Sequence, residues 1–187
     1  SIAGTFEHGR IVARRKKLCY NACSAQLILI SAFFRYNFTM HRILFVCHGN
    51  ICRSPMAEMV MKHLVKQAGR ERDFVIDSSA AQTDAIGCGI HRGTRNKLLR
   101  EQIPFTEHYA RLTTAADYAK YDLIVCMDQE NLEDLHYIFS GDGEGKVHKL
   151  LEYCGLSRDV ADPWYTGNFD ATFSDVMAGC TALLASL

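Results

Sequence analysis

A ten-residue stretch, Val46-Cys47-His48-Gly49-Asn50-Ile51-Cys52-Arg53-Ser54-Pro55, holds the residues best suited to do chemistry together. Its core is Cys47 and Arg53, separated by five residues. Backbone N–H groups at the start of a helix, with a turn made possible by Gly49, can ring an anion. The Arg53 guanidinium adds a fork that matches two phosphate oxygens. A cysteine that faces such dipoles and a guanidinium ionises readily. A thiolate beneath a bound phosphate is in line to attack phosphorus. Nucleophile (Cys47), anion cradle (His48, Gly49, Asn50, Ile51, Cys52 and Ser54) and charge clamp (Arg53) thus share one loop. Zinc binding through Cys47 and Cys52, alone or joined by Cys19 and Cys23, is a rival chemistry. Its ligand spacings are loose, and Arg53 beside the ligands would disfavour a cation. Neither a metal nor a cofactor is therefore expected.

The elements around the loop place it where such chemistry occurs. Ile43-Leu44-Phe45-Val46 is a continuous apolar run, as in a strand buried on both faces of a parallel sheet. Ser54 followed by Pro55 predicts the N-cap and first position of a helix. Ala57, Val60, Met61, Leu64, Val65 and Ala68 line one face of that helix, and Gly69 stops it. Strand, tight loop and helix make the opening half of a βαβ unit, and ligands bind at the carboxyl ends of its strands. Further strands are predicted over 74–77, 123–127 and 147–151, and helices over 94–102, 131–139 and the C-terminal segment from Phe173 to Leu187. Residues 108–112 read as a short strand or extended loop. The expected fold is α/β: a doubly wound, mostly parallel four-stranded sheet in three layers, with helices on both faces. The glycine-rich run 141–145 lacks a strand-to-helix junction and reads as an exposed loop, not a phosphate cradle.

Composition sets the outer limits. The 187 residues are 48% apolar and 22% charged, which excludes a disordered chain. The formal net charge of zero argues against a dedicated nucleic-acid binder. That zero joins two unlike parts: residues 1–39 carry a net +5 and residues 40–187 a net −5. The basic run Arg14-Arg15-Lys16-Lys17 and the apolar segment after it mimic a secretory signal, but no small-residue cleavage site follows. The apolar run is also too short for the ~20 residues of a membrane span. Residues 1–39 are expected to be a non-catalytic N-terminal extension, of cloning or start-site origin, with residues 40–187 as the catalytic domain.

Val46 through Glu58 (VCHGNICRSPMAE) resembles the active-site signature of the low-molecular-weight protein tyrosine phosphatases. Asp77-Ser78, Cys126-Met127-Asp128 with Asn131-Leu132, and Asp162-Pro163-Trp164-Tyr165 extend the resemblance over about residues 42–187. It implies hydrolysis of protein phosphotyrosine, and of small aryl phosphates, through a phosphocysteine, with inorganic phosphate or a similar oxyanion able to occupy the loop. Asp162 becomes the general acid by resemblance, with Trp164 and Tyr165 flanking the substrate ring. Asn50 holds the loop, Ser54 eases departure of the thiolate, and His108 buttresses the loop. Cys47 and Cys52 can pair in such proteins as a disulfide that shields the nucleophile. The expected protein is a cytoplasmic monomer that acts on phosphotyrosine proteins or peptides and binds neither nucleic acid nor membrane.

One departure stands out. Many relatives carry an aromatic wall on the loop after the second strand, whereas the aligned stretch here, 81–87, has no aromatic and places Asp84 near that position. Two other activities on the same fold compete. A thioredoxin-coupled arsenate reductase needs further cysteines in a close redox pair, which Cys88, Cys126, Cys154 and Cys180 do not offer by spacing. A phosphoarginine phosphatase has a smaller polar residue where Ile51 stands.

Overall fold

The computed structural model describes residues 40–187. The expected extension, 1–39, and the cysteines at 19 and 23 lie outside the described residues. Four strands, β1 (His41–Cys47), β2 (Phe74–Ala80), β3 (Leu123–Cys126) and β4 (Val147–Lys149), form one sheet in the order β2-β1-β3-β4. Every pairing is parallel, with Cys47 opposite Ala80 and Val46 opposite Cys126. Helices α1 (Arg53–Gln67), α2 (Arg92–Arg100), α3 (Ala115–Lys120), α4 (Gln129–Phe139), α5 (Pro163–Thr166) and α6 (Phe169–Ser186) complete the chain.

Strand β1 explains why the layers form. Alternate side chains of a strand point to opposite faces, and here both faces are dry. Ile43, Phe45 and Cys47 pack with α1 and α6 residues such as Met56, Val60, Val176 and Leu183. Leu44 and Val46 face the other way, onto Tyr121, Ile124 and Leu135. Ile43 through Val46 are fully buried, each stabilising the fold by roughly 1.5–3 kcal/mol over an exposed side chain. The expected three-layer α/β architecture is the observed one.

Local differences have physical causes. Cys52, not Ser54, is the N-cap of α1, and it makes no side-chain cap bond. Arg53, Ser54 and Pro55 are then the first three helical residues. The Ser54 hydroxyl is used elsewhere, in the loop, so the serine–proline signal misplaced the helix start by two positions. Strand β2 continues to Ala80, three residues beyond the apolar signal, because Ser78 and Ser79 are buried with polar partners. Strand β4 stops at Lys149, where Leu150–Cys154 tightens into a 3₁₀ turn. Helix α3 went unread, although Thr114 and Asp117 form a capping box at its start. Segment 108–112 is extended, tied by bridges of Leu112 to Ala80 and Tyr109 to Gly89. Among the described residues no helix is long and apolar enough to cross a membrane.

Candidate active site

The loops after β1 and β3 leave neighbouring strands at the same edge of the sheet, and that edge carries the site. Cys47 ends β1 and is 2% exposed. The chain then turns through Asn50, whose φ of +56° is left-handed. A non-glycine residue there costs roughly 1 kcal/mol, which the Asn50 side chain offsets with hydrogen bonds. Its amide donates to Ser54 Oγ and to Ser78 Oγ, both at 2.9 Å, and its Oδ1 accepts from the Arg111 backbone N–H at 3.2 Å. Ser78 Oγ donates onward to Glu58 Oε2 at 2.5 Å. The imidazole Nε2–H of His108 donates to the Asn50 carbonyl at 2.9 Å, while its Nδ1 lies 3.9 Å from Glu58. Every polar group of Asn50 in this set has a partner, so the turn is locked.

Ser54 Oγ, which accepts from Asn50, lies 3.1 Å from Cys47 Sγ. With one lone pair committed to the amide, its hydroxyl proton can point at the sulfur. Ile51 is fixed by its carbonyl, which accepts from the His91 backbone N–H at 2.9 Å. Cys52 is buried, borders the cleft beside Cys47, and its carbonyl accepts from the Thr94 hydroxyl at 3.3 Å. Burial, with Cys47 and Asp162 nearby, pushes the Cys52 thiol up to about 12. Cys52 therefore stays protonated near neutral pH, and both it and Cys47 are free thiols.

Arg53 is 3% exposed and is held by anions on both sides. Its Nη1 pairs with Asp128 Oδ2 and its Nη2 with Asp162 Oδ2, the latter at 2.6 Å. Burial opposes the guanidinium charge, but Cys47, Asp162 and Asp128 outweigh it and hold Arg53 above its ordinary value. Asp162 caps the short helix α5, accepting from the Trp164 backbone N–H at 2.9 Å, and Pro163 sits just inside that helix. Trp164 and Tyr165 are exposed on the same turn.

These residues line one cleft of about 640 Å³, a size typical of a small-ligand site. Cys47, Arg53 and Asp162 converge there, and Ile51, Trp164 and Tyr165 also line it. Gly49, Asp84 and Ala85 stand at the wall where the sequence lacks an aromatic. His48 reaches Asp84 at 2.7 Å in an exposed pair. Asn50, Ser54 and His108 do not line the cleft but support the loop from behind. Among the described residues no group of three or more His, Cys, Asp or Glu side chains is arranged to hold a metal ion.

Two residues of the site lie in stretches that carry the family resemblance, but the sequence reading gave them no role. Asp128, the second partner of Arg53, follows β3 as Cys47 ends β1, so an acid after that buried strand was the available signal. Glu58 is a buried carboxylate in α1, beside the helix's apolar stripe, which a long acidic side chain occupies only when partnered.

A buried thiol and a buried arginine paired with a carboxylate, all lining one cleft, make the arrangement of a cysteine-dependent phosphatase. Comparison with known proteins agrees. Residues 42–187 match the family model described as low molecular weight phosphotyrosine protein phosphatase. The chain is 39% identical over 150 residues to the low molecular weight protein-tyrosine-phosphatase YfkJ of Bacillus subtilis, covering 79% of this chain and 96% of that one. It is 36% identical over 143 residues to the Staphylococcus aureus phosphatase PtpA, covering 76% and 90%. The crystal structure of YfkJ superposes with a TM-score of 0.76 over 79% of this chain and 94% of that one. A Drosophila arginine phosphatase is also similar, at 28% identity and a TM-score of 0.71 over 77% and 96%. The chain belongs to the low-molecular-weight phosphotyrosine protein phosphatase family, and it is a hydrolase of the protein-tyrosine-phosphatase kind.

Proposed function

We propose that residues 40–187 are the catalytic domain and remove the phosphoryl group from tyrosine in proteins or peptides, with Cys47, Arg53 and Asp162 as the catalytic residues. The observation that carries this is the convergence of the three on one cleft, with Arg53 paired to Asp162 at 2.6 Å. The phosphoryl oxygens take the place of the Asp162 carboxylate on the guanidinium and accept from the loop N–H groups. Cys47 Sγ attacks phosphorus while the P–O bond to tyrosine breaks. Asp162, protonated at that stage, gives its proton to the leaving phenolate. A phosphocysteine results. Asp162, now a carboxylate, takes a proton from water as its oxygen attacks phosphorus, and the thiolate leaves with the Ser54 hydroxyl donating to it. Inorganic phosphate or a similar oxyanion fits the same cradle. No step calls for a metal or cofactor.

The exposed Trp164 and Tyr165 supply aromatic surface for a tyrosine ring. Ile51 gives the cleft an apolar side chain where a phosphoarginine phosphatase would carry a smaller polar one. Cys126 and Cys180 are buried, and burial pushes both thiols up, which disfavours an arsenate-reductase disulfide relay through them. Dependence on a free thiol fits a reducing compartment, so the protein is assigned to the cytoplasm, as a monomer. The purified protein should hydrolyse 4-nitrophenyl phosphate in the presence of a chelator and be inhibited by vanadate. On a panel of matched phosphopeptides, phosphotyrosine should be preferred. Preference for phosphoarginine, or full activity in Cys47→Ser, would overturn the assignment.

A further inference from the structure

We infer that His91 is a positioning residue for the acid: its ring holds the Asp162–Trp164 turn in register with the Cys47–Arg53 loop. The inference rests on the reading of Asp162 as general acid. His91 belongs to neither segment, yet it is bound to both. Its backbone N–H donates to the Ile51 carbonyl at 2.9 Å, which fixes it to the phosphate-binding loop. Its Nδ1 accepts from the Gly93 N–H at 3.1 Å, which caps α2 and leaves the ring proton on Nε2. One face of the ring lies flat on Phe169, with centroids 5.3 Å apart and planes within 4°. The ring also meets Trp164 edge to face, at 5.9 Å and 72°.

The contact with Trp164 reaches the acid directly, because the Trp164 backbone N–H donates to Asp162 Oδ1. A half-buried imidazole therefore sits between the loop that binds phosphate and the turn that protonates the leaving group. The site around it is shaped for a flat ring. A Cβ on Gly93 would lie 2.2 Å from the Phe169 ring, so only glycine at that position lets Phe169 approach the imidazole. Helix α5 is a single turn and Trp164 is 63% exposed, so the turn has little packing of its own. Edge-to-face and stacked ring contacts of this kind have a preferred geometry and so fix orientation as well as distance. An error of about 1 Å in the placement of an acid is enough to slow proton transfer substantially.

A positioning role predicts a pattern that general damage to the fold would not produce. Asn at position 91 keeps a cap acceptor but has no ring, whereas Phe keeps a ring but has no acceptor. Activity of His91→Asn should be measured on aryl phosphates with progressively better leaving groups, together with inhibition by vanadate. With phenyl phosphate, whose phenolate needs a proton, kcat/KM should fall about tenfold or more. With 2,4-dinitrophenyl phosphate, whose phenolate leaves unaided, kcat/KM should stay within about twofold, because it covers only the steps up to loss of the phenolate, before Asp162 acts as base on water. Inhibition by vanadate should not change, since the loop is untouched. His91→Phe should restore the leaving-group dependence of the unaltered protein, at some cost in melting temperature. Phe169→Leu removes the platform without touching the cap and should reproduce the split, which covers the case of a poorly folded His91→Asn. An equal fall in kcat/KM for all substrates, or none, would overturn the inference. Asp162→Ala measured in parallel separates the two readings. If it shows the split and His91→Asn does not, only the role of His91 fails. If Asp162→Ala shows no split, the assignment of the acid fails.

Discussion

The two halves of the active site are built in opposite ways. The Cys47–Arg53 loop is sunk into the molecule: Asn50 and Ser54 are fully buried, and the polar groups of Asn50 are met by neighbours in β2, α1 and segment 108–111. The turn that carries Asp162 lies nearer solvent, with Trp164 63% and Tyr165 83% exposed, and is held by the Asp162 cap, the pair of Asp162 with Arg53, the buried Pro163 and one ring contact from His91. The difference follows from the task of each half. A cradle of N–H groups stabilises a phosphoryl group only if it is already in place when the charge arrives. An acid that first donates and then accepts a proton must admit substrate, release a phenol and let water in. It belongs on the part of the site with least packing.

Cys47→Ser tests the contrast most severely. Removing the nucleophile from an otherwise intact cradle should lower kcat by about four orders of magnitude or more. Fluorescence titration should show that the loop still binds phosphate. If turnover and binding vanished together, the loop would owe its shape to the sulfur and the two halves would not be separable.

Arg53→Lys comes next, because Arg53 is the one side chain that belongs to both halves. A point charge replaces a planar fork that reaches Asp128 and Asp162 at once. Steady-state kinetics should show kcat/KM reduced by roughly two to three orders of magnitude. A loss confined to KM would mean that Arg53 serves binding alone.

Stability separates the halves at a smaller scale. Asn50→Ala leaves alanine in a left-handed conformation and leaves Ser54, Ser78 and the Arg111 N–H without their partner. Urea unfolding should show a loss of about 3 kcal/mol. Asn50→Gly should recover only the backbone share, about 1 kcal/mol. Trp164→Ala, on the exposed turn, should stay within about 0.5 kcal/mol of the unaltered protein. If Trp164→Ala proved as costly as Asn50→Ala, the turn would be part of the core and the contrast would fall.

The same contrast governs what could be read from the chain. The loop was legible because its parts are contiguous: a buried strand, a glycine turn, an arginine and a helix start follow one another, and local order imposes local geometry. Even there the helix start was misread, because Ser54 resembles a cap by type while its hydroxyl is drawn to Cys47 and Asn50. The layers were legible from Ile43–Val46 and Leu123–Cys126, whose apolar runs admit burial on both faces. The acid turn was legible only through resemblance, since an Asp-Pro pair alone describes a common turn. Asp128 and His91 are joined to the loop across 75 and 40 residues of sequence, and Glu58 reaches Asn50 through Ser78 of β2, 20 residues away from it, by contacts that only the tertiary fold creates. Helix α3 was missed for a different reason. It is six residues long and shows little periodicity, so its capping box was the sole clue.

That capping box supports the last and smallest effect. Asp117 accepts from the Thr114 N–H at 2.8 Å and pairs with Arg111 at 3.1 Å, and the Arg111 backbone N–H in turn donates to Asn50. Burial opposes the Asp117 charge, but the Thr114 N–H and the Arg111 guanidinium outweigh it and hold the carboxyl below its ordinary value. A carboxyl whose folded value lies below its unfolded value, near 3.9, contributes stability that is fully present above the unfolded value. The contribution is lost as pH falls through the folded value. Asp117→Asn should therefore cost about 1 kcal/mol at pH 7. Unfolding curves of the two proteins should converge as the medium is acidified below the unfolded carboxyl value. A gap that persisted in acid would assign the effect to shape and hydrogen bonding, not charge. Because Asp117 is one contact removed from Asn50, through Arg111, activity at pH 7 should change less than about twofold. A larger change would make the support behind Asn50 as consequential for turnover as the loop it holds.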